Sequence, residues 1–183
     1  MADLTTLANV KPWLNIASGT DDTLLSRLIS ASSDFIQTWL NRQIAQAAYT
    51  ETRDGTGGTK LMFANYPVTA VSSVVIDGVT IPPSTSPSMP GYVFSQTVLS
   101  LRGSYVFTYD VQNVQIAYTA GFVTTPTEIE QACIELVSLR YRERSRIGQA
   151  SKGLAGENVS YQALDLSDSV TSVLAQYRKV APV

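Results

Sequence analysis

The sequence contains no histidine and a single cysteine, Cys133. Without histidine there can be no Ser-His-Asp or Cys-His catalysis, and no zinc site that needs an imidazole. One cysteine excludes an intrachain disulfide and a cysteine-cluster metal site. Charge is scarce as well. Only 15% of the 183 residues are charged, against about 25% in an ordinary domain. Thirteen Lys and Arg against fifteen Asp and Glu leave a net charge of −2, which argues against a charge-driven nucleic-acid binder. No apolar run approaches the roughly 18 residues of a membrane span. Met1-Ala2-Asp3-Leu4 lacks the basic-then-apolar layout of a signal peptide. These absences predict a soluble protein made in a cytoplasm, with no membrane partner, no metal and no cofactor.

What is present falls into three zones. Residues 1–48 read as helical, 49–123 as strands and turns, and 124–183 as helical again. The first helix spans about Thr5 to Trp13, interrupted by Pro12. In the second, Leu24, Leu25, Leu28, Ile29, Phe35, Ile36, Trp39 and Leu40 trace one wide apolar stripe. Asp21-Asp22 stands at its start, where a carboxylate caps free N–H groups. In the third, Thr127-Glu128-Ile129-Glu130 fits a capping box, and the helix is predicted to run on to about 147. A last helix spans about Ser167 to Arg178. In the middle zone, Tyr49–Arg53 and Lys60–Phe63 flank a glycine-rich turn and predict a hairpin. Asp77-Gly78 predicts another. Residues 82–90 hold four prolines and three serines and read as an exposed loop.

The expected fold is therefore α+β. Two long antiparallel-type helices plus short N- and C-terminal helices make the core, and a β-rich hairpin insertion joins helices two and three. The organisation expected is a single domain over 1–183, with the insertion at 49–123, a mobile loop at 149–160 and a C-terminal helix and tail at 167–183.

Nothing here forms a catalytic constellation. Asp54-Gly55-Thr56-Gly57-Gly58-Thr59-Lys60 lacks the phosphate-loop spacing, and a strand rather than a helix follows it. Cys133 lies on an apolar helical stripe and has no histidine to activate it. The distinctive feature is basic: Arg140, Arg142, Arg144, Arg146 and Lys152 gather five of the thirteen cations. Alternate helix positions are rotated by about 200°, so these arginines ring the helix end rather than line one face. Such a ring suits a solvated helix end or an interface.

Four stretches carry a family resemblance. They are Val10–Ile16 with the helix Leu24–Leu40; Tyr66-Pro67-Val68 through Asp77-Gly78; Val114–Phe122 followed by Pro126; and Ile129–Cys133 through Leu139–Arg144. Their order and spacing over residues 5–147 resemble the head–tail connector (adaptor, or head-completion) proteins of tailed bacteriophages, especially longer members with a β insertion. The resemblance implies a structural, non-catalytic virion protein made in the host bacterial cytoplasm. It implies a ring of twelve-fold symmetry under the portal vertex, extending the DNA channel and joining the head to the tail or stopper. The partners implied are the portal protein, a stopper or tail-completion protein and further copies of the chain. DNA would pass through without sequence-specific contact. Arg140, Arg142, Arg144, Arg146 and Lys152 are then candidates for subunit or portal contacts, and Tyr177, Arg178 and Lys179 for portal docking. The competing readings are a stopper or tail terminator, and a non-catalytic binding module.

Overall fold

The computed structural model describes residues 2–144, 151–154, 157–160 and 168–179. It divides into two compact units, one from Met1–Ile44 with Thr124–Val183 and the other from Ala45–Val123.

Among the described residues the first unit carries four helices: α1 (Leu7–Leu14), α2 (Asp22–Leu40), α3 (Thr127–Glu143) and α4 (Asp168–Ala175). Leu25, Ile29, Ile36 and Leu40 recur at helical spacing along α2 and are buried. They pack with α3, which buries Ile129, Cys133, Leu136 and Val137, while Leu174 of α4 closes on α3. Each such aliphatic side chain stabilises the fold by about 1.5–3 kcal/mol. Helices α1 and α2 both end on a left-handed asparagine, Asn15 (φ 57°) and Asn41 (φ 54°). Asparagine tolerates that conformation, and the N–H groups there fold back onto the last carbonyls.

Neither expected side-chain cap forms. Asp21 makes no capping bond; its carboxylate accepts from the Tyr141 hydroxyl instead. Pro126, not Thr127, holds the cap position of α3, and Glu130 accepts from Thr5 Oγ1 (3.2 Å) and Asn9 Nδ2 (2.5 Å). Tertiary partners have taken carboxylates that a local reading assigns to the helix ends. Asp22 forms an ion pair with Lys11 at 2.7 Å, fastening α2 to α1.

The second unit overturns the expectation of a two-long-helix core bearing a hairpin insertion. The fold is mixed α+β but β-rich, with two antiparallel sheets of seven strands between α2 and α3. In one, β1 (Ala47–Gly55) and β3 (Val68–Ile76) flank β7 (Asp110–Ala120), and β4 (Val79–Thr80) adds to β3. In the other, β6 (Val98–Arg102) lies between β2 (Lys60–Met62) and β5 (Gly91–Phe94). The physical reason is alternation. Val114, Ile116, Tyr118 and Ala120 put every second residue of β7 inward, and Leu61, Leu99, Leu101 and Tyr92 do the same for the second sheet. The two apolar faces share one core. The unit thus has an interior of its own.

The predicted hairpin of Tyr49–Arg53 with Lys60–Phe63 does not form. β1 pairs with β7 and β2 pairs with β6. The Asp77-Gly78 hairpin does form, with positive φ at both turn residues (50° and 77°). Within the loop expected over 149–160, β8 (Ser151–Leu154) and β9 (Glu157–Ser160) pair antiparallel.

Candidate functional site

The cations singled out from sequence separate into distinct environments. Arg140 turns inward: its guanidinium lies 5.1 Å from the Phe35 ring centroid and donates to Ser32 Oγ at 3.3 Å. Arg144 lies 3.8 Å over the Tyr141 ring and donates to the Tyr141 carbonyl at 2.5 Å. Tyr141 in turn donates to Asp21, and that acceptor holds its phenol above the ordinary range. Arg142 is exposed on the last turn of α3. Arg146 lies outside the described residues, and Lys152 falls on β8.

The C-terminal candidates meet elsewhere on the same unit. Tyr177 donates to the Glu128 carboxylate at the start of α3, which pushes its phenol up. Arg178 lies 5.4 Å over the Trp39 ring, and the Lys179 N–H donates to the Leu40 carbonyl at 2.9 Å. Arg42 Nη1 donates to the Tyr177 carbonyl at 3.5 Å. These bonds fasten residues 177–179 to the end of α2 and the start of α3, so the C-terminal segment has a defined seat. The Cys133 thiol is buried and pushed up to about 11, although the Ser33 hydroxyl 3.6 Å away opposes the shift. It is not a nucleophile at neutral pH. Among the described residues, no group of carboxylates and thiols is arranged to hold a metal, and no helix is long and apolar enough to cross a membrane.

Sequence reasoning missed one surface, at an end of the β unit. Tyr109 is 87% exposed, Val111 73% and Val106 42%, although Phe107 between them is fully buried. A hydrogen-bond frame holds this segment. Asn113 Nδ2 donates to the Thr108 carbonyl (2.9 Å) and to Asp77 Oδ1 (2.9 Å), while its Oδ1 accepts from the Gly55 N–H (2.8 Å). Thr108 Oγ1 donates to Asp77 Oδ2 (2.5 Å), and the Gln112 N–H donates to Asp54 Oδ1 (2.7 Å). Gln112 is left-handed there, with φ 53°. The only sequence signal was the apolar residues among turn formers in 105–113.

The bonds from Thr108, and then Asn113, hold the Asp77 carboxyl below its ordinary value of 3.8. A depressed folded pKa gives stability that is present above the unfolded value and is lost as pH falls through the folded one. Asp77→Asn keeps a residue that tolerates positive φ but removes the charge. The variant is expected to unfold at lower urea than the parent at pH 7, with the gap closing as the pH falls below 3.8. An unchanged gap in acid would show that the charge plays no part.

Comparison with known proteins adds the family. A model of the family described as "Head completion protein" matches residues 3–180. No curated protein matches the chain. Among solved structures, a chain in the neck of an empty gene transfer agent particle, computed with C6 symmetry, has a TM-score of 0.60 at 16% identity, covering 96% of this chain and 90% of that one. A chain in the neck of the native particle, computed with C12 symmetry, has 0.58 at 14%, covering 97% and 90%. A chain in the virion of the native particle has 0.58 at 16%, covering 96% and 90%. These likenesses show a shared fold across both units. With the family match spanning nearly every residue, the chain belongs to the head completion protein family, the head–tail connector proteins that its ordered stretches resemble.

Proposed function

We propose that the chain is a structural virion protein that forms a ring beneath the portal vertex, extends the DNA channel and joins the head to the tail or stopper. The observation that carries this reading is the family match over residues 3–180, which takes in the helical arms and the β unit together. Necks computed with C6 and C12 symmetry contain chains of this fold. A net charge of −2 suits a conduit in which DNA slides, because a strongly basic wall would hold the phosphates. In this reading residues 167–183 engage the portal from the seat that Tyr177, Arg178 and Lys179 define, and the exposed Arg142 makes subunit contacts.

The test is electron microscopy and particle mass of the full chain with and without portal rings. Stacked rings with the portal's symmetry are expected. A chain that stays monomeric at every concentration and ignores the portal overturns the reading. Arg142→Glu with Arg144→Glu is expected to weaken ring formation by about tenfold, the loss typical of a truncated interface anchor.

A further inference from the structure

We propose that the exposed tip of the β unit, Tyr109 and Val111 with Val106, docks on the basic end of α3 in a neighbouring copy of the chain. The inference deepens the ring reading above and rests on it.

The first ground is composition against exposure. Three apolar side chains within six residues face water, while Phe107 in the same segment is fully buried. Tyrosine is the residue type that interface cores favour, because its ring is apolar and its hydroxyl finds a partner. The second ground is rigidity. Asp77, Thr108 and Asn113 lock the segment from below, and Asp54 holds Gln112. A surface already held in one shape loses little conformational freedom on docking.

The third ground selects the occupant. The tip is acidic: Asp110 lies between Tyr109 and Val111, and Asp54 and Asp77 hold the segment, while Arg53, the cation beside Asp54 in sequence, is paired with Glu51. The end of α3 has the complementary character. Residues 139–144 carry three arginines and one carboxylate, Glu143. Arg140 is spent on Phe35 and Ser32, which leaves Arg142 exposed near Leu139, itself 37% exposed, while Arg144 adds its charge at the surface from its place over Tyr141. An apolar centre with negative charge thus meets an apolar side chain with positive charge. A closed ring requires this kind of contact between two different patches of one subunit, and opposite charge fixes its register.

The experiment places a photo-crosslinking phenylalanine derivative at residue 109 in the full chain, assembled on its portal rings, and maps the products by mass spectrometry. Crosslinks to residues 139–144 of a second copy are expected. Alongside, Tyr109→Ser with Val111→Ser is expected to weaken ring association by about tenfold, with the urea midpoint unchanged because both side chains are exposed. Asp110→Lys is expected to weaken it too, and adding Arg142→Glu to restore part of the loss. Rings that form normally in the Ser variant, or crosslinks that fall only on other segments or on the portal, overturn the docking while leaving the ring reading intact. Failure of the unmodified chain to form rings at all overturns both.

Discussion

Gly55→Ala is expected to destabilise the protein by about 3 kcal/mol or more, beyond the usual range for overpacking. A Cβ built at Gly55 would lie 1.7 Å from the Thr108 carbonyl oxygen and 2.9 Å from Asn113 Oδ1. The first of these is backbone, so no rotamer change relieves it. Either Thr108 moves away, breaking its bonds to Asp77 and Asn113, or β1 moves out of register with β7 at the Gly55↔Asp110 pair. Gly78→Ala is the informative control. Gly78 has φ +77° and nothing within 4 Å of the built Cβ, so its loss is conformational strain alone, about 1–2 kcal/mol. Urea unfolding of the two variants side by side should show the larger midpoint drop at Gly55. Equal drops would mean that close approach is not what keeps a glycine there.

Tyr118→Ala should have a comparable effect, about 3–5 kcal/mol. Tyr118 is 1% exposed, stacks on Tyr49 (5.7 Å) and lies 4.8 Å from Phe63. Its hydroxyl donates to Glu51 and accepts from the Asn65 N–H at 3.1 Å. Tyr118→Phe separates the two contributions. It keeps the ring but leaves Glu51, whose side chain is only 12% exposed, without that donor, for a loss of about 1–3 kcal/mol. Burial first, and then the Glu51 bond, push the phenol above its ordinary value of 10.0. A proton held more tightly in the folded state means that stability falls as pH rises above 10.0 toward the folded value. The phenylalanine variant escapes that term, so the gap between it and the parent should narrow in alkali. A loss for Tyr118→Phe as large as for Tyr118→Ala would assign the whole effect to the hydroxyl.

The helices were legible because their signal is local. The period of Leu25, Ile29, Ile36 and Leu40 contains the buried face of α2, and observed ends fall within a few residues of the predicted ones, Glu143 excepted. Asp77-Gly78 was legible because its turn chemistry is complete in two residues. The sheets were not. Ala47 faces Ala120 across 73 residues of chain, and alternation tells which face of a strand is apolar but never which strand lies beside it. The same limit applied to charges. Asp21 and Glu130 looked like caps when read in place, yet their partners, Tyr141, Thr5 and Asn9, lie about 120 residues away. Of the candidate interface, the arginine cluster was legible as composition. That Arg140 turns onto Phe35 while Arg142 faces out depends on rotamers and neighbours that spacing does not encode. Tyr109 and Val111 were passed over because apolar residues near turn formers look like ordinary strand residues.

The β unit begins and ends at one place. Ala45 bridges Phe122 in parallel, the Gln46 N–H donates to the Phe122 carbonyl at 3.1 Å, and Ala47 is the direct partner of Ala120. A folded body whose two ends lie side by side can be spliced into a host loop without prying the host apart. Cutting the unit out at residues 45 and 123 and rejoining Ile44 to Thr124 therefore needs only a short linker, because the two cut ends already lie together.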